Sequence, residues 1–326
     1  MLLTLTLLAQ LSVTGDSLGG TVVADTIRSH SLGIEKQYYV YLPPSYGRES
    51  ARRYPVAYYL HGVTGNESNW VRLGRIDAVM DSLIAAGTPE MVLVMPDGDD
   101  SWYTTWNSLG NYARCRREPP RDEPATSYCV PWPHYDDYIA RDLVAHVDSN
   151  YRTFPDSARR AIAGLSMGGY GAVTLALRYP DVFSAAASHS GVVAPLFAGP
   201  TPFAPPPHYH HDMDSVRAAN ARLWRYLREP FGPDTIGWRA RDPVTMARRR
   251  AAAELPIPHI FLDVGTEDPW VDANRAFAHE LQLLGAPVIY NEWSGGHSWE
   301  YWRAHVPESL VWIAGRIAPA RAVSAP

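Results

Sequence analysis

Short apolar runs alternate with amphipathic helical patterns along most of this chain. Two alternating strand-like segments occupy residues 20–43, and further apolar runs begin at Tyr54, Met91, Arg160, Ser184, Pro258 and Val288. Two helical faces are clear between the runs: Ile139, Leu143, Val144 and Val147 form one, and Phe277, Leu281 and Leu284 form another that Gly285 ends. Strands that alternate with helices predict an α/β fold with a mostly parallel sheet covered on both faces.

Length and composition favour one large domain. The 326 residues contain no internal repeat, and residues 20–317 are predicted to form a single unit with a proline- and histidine-rich, cap-like insertion at 192–255 and a tail at 318–326. The chain is 46% hydrophobic and 19% charged with a net charge of −5, and Lys36 is its only lysine. This charge offers no basic field for a polyanion, so nucleic acid is excluded as an expected partner. Oligomeric state leaves no signal in the sequence.

The most informative motif is a G-x-S-x-G pentapeptide at residues 164–168. It lies between the strand-like run that begins at Arg160 and a helix predicted over Tyr170–Tyr179. In a strand-to-helix turn of this kind a strained backbone lifts the serine hydroxyl clear of the sheet, and small neighbours let strand and helix approach. Ser166 is therefore the candidate nucleophile.

A serine hydroxyl needs a base to take its proton and a carboxylate to orient that base. Asp268 follows the apolar run 258–264, where the loop beyond a parallel strand would place a triad acid. Asp272 is the alternative, although a helix cap is its ordinary explanation, and Glu267 is expected to be a solvated neighbour. Asp263 falls inside the strand.

The candidate base is His297, which follows the last predicted strand in a glycine-flexed loop. His279 and His305 fall within predicted helices, so neither is placed on a loop after the acid. The order serine, acid, histidine is that of α/β-hydrolases.

Acyl transfer also needs donors for the oxyanion. The backbone N–H of Met167, directly after the nucleophile, is one candidate, and that of Val63, in the glycine-containing loop after an early strand, is the other. His61 precedes the serine and is expected to brace this loop.

These residues belong to a set of motifs whose order and spacing resemble those of the esterase D-type Putative esterase family over roughly residues 20–315. The motifs are Leu60-His61-Gly62, Pro96-Asp97-Gly98 with Trp102-Tyr103, Tyr135-Asp136-Asp137-Tyr138-Ile139, Gly164-Leu165-Ser166-Met167-Gly168-Gly169-Tyr170-Gly171, Gly265-Thr266-Glu267-Asp268 and Gly296-His297. The family includes feruloyl and acetyl xylan esterases, S-formylglutathione hydrolases and mycolyltransferases. The long segment 192–255 departs from its compact pattern.

The resemblance implies an α/β-hydrolase fold and a serine esterase whose triad is Ser166, Asp268 and His297. Such an enzyme cleaves an ester through an acyl-enzyme and needs no cofactor. The substrate would be a small-molecule or polysaccharide-linked ester with an aryl, feruloyl or short acyl group. The alternatives are an acyltransferase of the mycolyltransferase type and a non-catalytic carbohydrate-binding protein on the same fold.

Aromatic residues crowd the predicted catalytic loops: Trp70, Trp102, Tyr103, Trp106, Trp270, Trp293 and Trp299. Trp102 and Trp270 follow strand-end loops and are the predicted substrate contacts. For each of the seven aromatic residues, packing in the hydrophobic core is the alternative role. The cluster at residues 208–212 carries three histidines and Asp212 without partner spacing, so no metal site is predicted.

The compartment is indicated by two features. Residues 1–13 form a short apolar run that resembles part of an export leader, within a possible leader at 1–19, but they lack a basic start and are too short to span a bilayer. Cys115 and Cys129 lie in one polar loop where a disulfide would fit an oxidising compartment. A secreted or periplasmic protein is expected; a cytoplasmic protein with two free thiols is the alternative.

Overall fold

The computed structural model describes residues 19–105, 112–118 and 125–318. Its centre is an eight-stranded sheet, and a two-stranded ribbon lies outside it. The sheet strands are β1 (Thr21–Arg28), β2 (Glu35–Leu42), β3 (Val56–Leu60), β4 (Val92–Pro96), β5 (Arg160–Leu165), β6 (Ala185–His189), β9 (His259–Gly265) and β10 (Val288–Trp293), and the ribbon is β7 (Phe197–Gly199) with β8 (His208–Tyr209).

The strand order is β1-β2-β4-β3-β5-β6-β9-β10. β2 pairs antiparallel with β1 and β4, and all other neighbours in the sheet are parallel. β3, β5 and β6 are buried throughout, as expected for strands covered on both faces. The predicted mostly parallel sheet of an α/β-hydrolase fold is confirmed, and its carboxyl edge gathers the loops that follow β3, β5, β9 and β10.

Helices cover both faces of the sheet. They are α1 (Asn69–Arg72), α2 (Ile76–Ala85), α3 (Tyr112–Arg117), α4 (Ala125–Tyr128), α5 (Tyr135–Asp137), α6 (Val144–Asn150), α7 (Met167–Arg178), α8 (Met213–Ala219), α9 (Ala221–Phe231), α10 (Thr235–Arg241), α11 (Pro243–Ala252), α12 (Val271–Leu283) and α13 (Trp299–Ile317), with a π-helical segment Tyr138–Leu143 joining α5 to α6. α2 and α13 pack on one face. α7, α12 and the α5–α6 region pack on the other.

The helix after the nucleophile begins earlier than the sequence predicts. α7 starts at Met167 rather than Tyr170, so Gly168 and Gly169 lie in its first turn. Glycine disfavours a helix interior, which is why the pattern delayed the predicted start. Tyr54, the predicted start of β3, instead makes an isolated bridge to Thr153.

The insertion at 192–255 folds into β7, β8 and helices α8 to α11 between β6 and β9. All four of these helices begin with a side-chain cap: Asp212 accepts from the Ser215 N–H, and Asn220, Asp234 and Asp242 make equivalent bonds. No helix within the described part of the chain is long and apolar enough to cross a bilayer. Most of the possible leader and most of the tail lie outside the described residues.

Candidate active site

Ser166 stands at the tight turn between β5 and α7. Its backbone has φ +52° and ψ −114°, a conformation that costs a non-glycine residue about 1–3 kcal/mol. The turn is held by the Ser166 N–H, which donates to the His189 carbonyl at 2.9 Å. A Cβ on Gly164 would lie 2.4 Å from the Gly168 backbone, and one on Gly168 would lie 2.3 Å from the Leu60 carbonyl oxygen. The strand and the helix therefore approach closely only because both positions lack a side chain.

The loop after β10 brings His297 to this serine. His297 Nε2 lies 2.9 Å from Ser166 Oγ, and His297 Nδ1 lies 2.8 Å from Asp268 Oδ2. The Asp268 side chain is fully buried, whereas that of His297 is 26% exposed. Since a carboxylate only accepts hydrogen bonds, Nδ1 carries the proton and Nε2 is free to accept one from the serine.

Asp268 is held by its own loop. Its N–H donates to the Gly265 carbonyl at 3.0 Å, and its Oδ1 accepts from the Trp270 N–H at 2.9 Å. The alternative acid points elsewhere: Asp272 Oδ1 accepts from the Phe203 N–H at 2.8 Å. The expected capping role of Asp272 is wrong, because Trp270 holds the cap position of α12 and Asp272 lies within the first turn.

Glu267 links the acid loop to the base loop. Its carboxylate accepts from the Gly295 N–H and from the Thr266 hydroxyl, and its own N–H donates to the Gly295 carbonyl at 3.0 Å. The Thr266 hydroxyl and then the Gly295 amide lower the pKa of Glu267. Glu267 is exposed, as expected for a solvated neighbour of the triad acid, and its side chain in addition ties together the two loops that carry Asp268 and His297.

The loop after β3 lies over the serine and is braced by His61. His61 Nε2 accepts from the Gly98 N–H at 2.9 Å, so Nδ1 bears the proton and donates to the Gly62 carbonyl at 2.8 Å. Val63, one residue further, lines the same cavity as Ser166. Met167 has a buried side chain, and as the first residue of α7 its N–H has no acceptor within the helix.

Behind His61 lies a buried ion cluster made by Lys36, Asp97 and Asp99. Lys36 Nζ donates to Asp97 Oδ2 at 2.5 Å, to Asp99 Oδ2 at 2.9 Å and to the Ser127 carbonyl at 2.9 Å. Burial alone would lower the pKa of Lys36, but the two carboxylates outweigh it and raise that pKa. Burial would likewise raise the pKa of Asp97, yet the Lys36 ammonium brings it below its usual range. The sequence indicates no role for Lys36; the structure places it under the loop that covers Ser166.

Ser166 and His297 open into a cavity of about 530 Å³. Its aromatic lining is Trp102, Tyr226, Trp270, Trp299 and Trp302, and Leu165, Val192 and Leu223 add aliphatic surface. Both predicted substrate contacts, Trp102 and Trp270, thus face the cavity. Sequence reasoning missed Trp302, whose ring lies edge-on to His297 with centroids 5.0 Å apart. Trp302 lies one helical turn after Trp299 on the helix that follows His297, and this spacing could have predicted that it lines the cavity.

Other predicted aromatics are used for support. Trp70 donates to the Leu60 carbonyl from the core, and the Tyr103 hydroxyl donates to the His61 carbonyl. Trp293 stacks on His305 with ring centroids 4.3 Å apart. Trp106 lies outside the described residues. For these three described rings, packing rather than substrate contact is what the structure shows.

The remaining predicted residues lie away from the cavity. Cys115 and Cys129 are joined in a disulfide with their Cα atoms 5.7 Å apart. In the histidine-rich stretch, Asp212 caps α8. Within the ranges that the structure describes, no group of three or more histidine, cysteine, aspartate or glutamate side chains is arranged to hold a metal ion.

A doubly covered parallel sheet with a serine at the β5–α7 turn and a histidine and a carboxylate on later loops defines the class: this is a carboxylic ester hydrolase of the α/β-hydrolase fold. The model of the Putative esterase family matches residues 29–313, and the chain belongs to that family.

Individual relatives agree with this assignment. An acetyl esterase of Caldicellulosiruptor saccharolyticus is 24% identical over 259 residues, covering 79% of this chain and 82% of its own length. An esterase of Mycobacterium tuberculosis is 32% identical over 279 residues, and the match spans about half (51%) of that longer protein. Among solved structures, a ferulic acid esterase superimposes with a TM-score of 0.66 at 27% identity, covering 92% of this chain and 99% of the other.

Proposed function

We propose that the enzyme cleaves esters through a triad of Ser166, His297 and Asp268 and a covalent acyl-enzyme. The observation that carries the proposal is the continuous hydrogen-bonded path from Ser166 Oγ through the imidazole of His297 to buried Asp268, with distances of 2.9 and 2.8 Å. In this arrangement the imidazole accepts the serine proton while the carboxylate keeps it in the required tautomer.

The reaction proceeds in two halves. His297 Nε2 takes the hydroxyl proton as Ser166 Oγ attacks the ester carbonyl, and the resulting tetrahedral intermediate expels the alcohol, which leaves with that proton. Water then donates a proton to His297 and attacks the acyl carbon, and collapse returns the proton to Ser166 as the carboxylic acid departs.

The oxyanion of each intermediate is assigned to the backbone N–H groups of Met167 and Val63. Met167 offers an N–H at the first turn of α7, where the helix dipole adds positive potential. The bond from His61 to the Gly62 carbonyl fixes the peptide that precedes Val63. Each such donor typically contributes about 3 kcal/mol to lowering the barrier.

The proposed substrates are aryl, feruloyl or short acyl esters. A cavity of about 530 Å³ lies within the range of about 300–1,000 Å³ common for small-molecule sites, and tryptophan walls suit a planar acyl group. The relatives named acetyl esterase and ferulic acid esterase support this range.

The test is hydrolysis of nitrophenyl acetate and methyl ferulate by the wild type, by Ser166→Ala and by Ser82→Ala, whose serine is exposed on α2. We expect Ser166→Ala to lose at least about 10³-fold in kcat, and Ser82→Ala to match the wild type. Labelling by a fluorophosphonate should disappear only in Ser166→Ala. Equal rates for the two variants would remove Ser166 from the mechanism.

We also propose an oxidising compartment, secreted or periplasmic, on the support of the bond between Cys115 and Cys129. Mass spectrometry of protein from the native host, alkylated while denatured and not reduced, should show no added label. Two labels would contradict it.

A further inference from the structure

A second set of serine, histidine and aspartate side chains lies in the core behind the active site. Ser309 Oγ lies 2.8 Å from His189 Nε2, and His189 Nδ1 lies 2.6 Å from Asp263 Oδ2, so the atoms stand in the same order as in the proposed triad. All three side chains are fully buried, and the described lining of the active-site cavity includes none of them. A substrate in that cavity therefore does not reach Ser309, His189 and Asp263, which we call the buried array.

His189 stands directly beside the nucleophile turn. It is the last residue of β6, and its carbonyl accepts from the Ser166 N–H at 2.9 Å. On the other side of β6, the N–H of the next residue, Ser190, donates to the Asp263 carbonyl at 2.7 Å. Ser190 has φ +50°, a left-handed conformation that a serine keeps only where neighbouring contacts hold it. The backbone that presents Ser166 is thus fixed by the position of the end of β6.

The side chain of His189 joins this strand end to the strand that leads to the acid. Asp263 is paired with His189 in the register of β6 and β9, and β9 ends just before the loop that carries Asp268. Because a carboxylate only accepts hydrogen bonds, the 2.6 Å separation requires a proton between Asp263 Oδ2 and His189 Nδ1. A shift of β6 along β9 would separate these two atoms.

The buried array also contacts the helix after the base and the strand before the oxyanion loop. α13 supplies Ser309 and also Tyr301, whose hydroxyl donates to Asp263 Oδ1 at 3.1 Å. The Tyr301 ring lies against the base loop, where a Cβ on Gly295 would meet it at 2.9 Å. The Tyr59 hydroxyl of β3 lies 3.2 Å from Ser309 Oγ. Polar contacts thus connect β3, β6, β9 and α13, the elements that adjoin the loops of the proposed site.

Packing alone does not require a polar array at this place. Apolar side chains of similar volume would fill the space without the cost of taking a charge and two polar groups out of water. Hydrogen bonds depend on direction as well as distance, whereas apolar contacts tolerate sliding. A connected polar network in the core therefore specifies one arrangement of the elements around it.

We infer that His189 is a positioning residue for the nucleophile. Its side chain fixes the end of β6 against β9 and α13, and the bond from the Ser166 N–H passes this placement to the line between Ser166 Oγ and His297 Nε2. A displacement of about 1 Å at the reacting atoms can cost about 10²-fold in rate. The inference rests on the proposed triad and adds a residue that touches neither the substrate nor the reacting atoms.

The test measures kcat for nitrophenyl acetate per active site, with the sites counted by fluorophosphonate labelling carried to completion. His189→Leu fills the space of the ring without a polar group, whereas His189→Asn is smaller but places an amide N–H near the position of Nδ1, facing Asp263. We expect His189→Leu to lose about 10- to 100-fold in kcat per labelled site, and His189→Asn to exceed it by at least about fivefold. KM should stay within about twofold of the wild type in both, because His189 does not line the cavity.

A role in packing alone gives a different result. The larger leucine would then serve better than asparagine. Misfolded molecules would escape labelling, so a loss of folded protein would not lower kcat per labelled site.

Ser309→Ala decides the inference if His189→Leu does not fold, since it removes one hydroxyl from the buried array and alanine suits a helix. We expect it to lose about three- to tenfold in kcat per labelled site, the range for loss of a hydrogen bond. Thr174→Ala is the matched control, because the Thr174 hydroxyl is also buried but bonds to the Tyr170 and Gly171 carbonyls of its own helix. It should keep the wild-type kcat per labelled site even if it lowers stability.

Wild-type kcat per labelled site in Ser309→Ala, or in folded His189→Leu, would overturn the inference and leave the proposed ester hydrolysis intact. A leucine variant that matches or exceeds the asparagine variant would also overturn it, since side-chain volume would then be the property that matters. If fluorophosphonate labels the wild type no more than Ser166→Ala, the proposed function fails, and the inference fails with it.

Discussion

Replacing Asp268 by asparagine tests the orientation of the catalytic histidine. In the native site Asp268 Oδ1 accepts from the Trp270 N–H and Oδ2 faces His297 Nδ1. An asparagine has one oxygen, and the Trp270 N–H requires it. The amide NH₂ must then face His297, where it donates to Nδ1 and drives the ring proton to Nε2.

That tautomer cannot accept the proton of Ser166. Loss of the correct tautomer in a serine triad lowers kcat by about 10⁴-fold, which corresponds to roughly 5.5 kcal/mol in the barrier. The opposite rotamer would place the NH₂ against the Trp270 N–H. Two donors would then face each other in a fully buried site, so this rotamer is unfavourable and would not restore the native tautomer.

The assay is steady-state hydrolysis of nitrophenyl acetate, with urea unfolding to verify that the variant is folded. Asp181→Asn is the control, since Asp181 is exposed beyond the end of α7 and should retain wild-type kcat. Asp272→Asn should retain at least about a hundredfold more activity than Asp268→Asn, because Asp272 faces Phe203 instead of the histidine. A fall of less than about tenfold in folded Asp268→Asn would refute the reasoning.

Three further substitutions probe the frame of the site. Lys36→Met should cost about 3–5 kcal/mol in urea unfolding, because it leaves two buried carboxylates without their cation; a cost below about 1 kcal/mol would contradict that. Gly164→Ala should lower stability by about 1–3 kcal/mol and reduce kcat, since its Cβ meets the Gly168 backbone at 2.4 Å, and unchanged unfolding would argue against the close approach. Burial raises the pKa of Asp242 from 3.8 to about 6. The stability that the protonated Asp242 carboxyl contributes is therefore complete below pH 3.8 and is lost as the pH rises through 6. Between pH 3.5 and pH 8, the unfolding free energy of Asp242→Asn should therefore rise by about 3 kcal/mol relative to that of the wild type. A difference in unfolding free energy that does not change with pH would be evidence against a titrating carboxyl.

The parts of the fold that sequence predicted well are those with local signals. Period-two and continuous apolar runs located the strands of the main sheet, and the pentapeptide around Ser166 marked one strand-to-helix turn. Chain order and strand ends then selected Asp268 and His297, which the structure brings within hydrogen-bonding distance of each other. These inferences needed only neighbouring residues and the rule that parallel strands deliver their loops to one edge.

What sequence could not show depends on contacts between distant segments. Lys36 on β2 binds the carboxylates of Asp97 and Asp99, which lie 61 and 63 residues away, and no residue near Lys36 in the sequence indicates these partners. The sequence predicts only a solvated Glu267, and the structure shows that its exposed carboxylate also accepts from the N–H of Gly295 on another loop. The cavity-facing Tyr226 lies in the insertion, where the sequence departs from the family pattern and no motif marks it.

The burial of Lys36 has a practical consequence for chemical labelling. Its side chain is wholly shielded, and the sequence contains no other lysine. A lysine-selective reagent that does not acylate, such as formaldehyde with a borohydride, therefore has no lysine to modify on the closed molecule and gains one only when β2 separates from the loop after β4. The rate at which Lys36 acquires label would report opening of the region beside the nucleophile, at a single position and without an engineered probe.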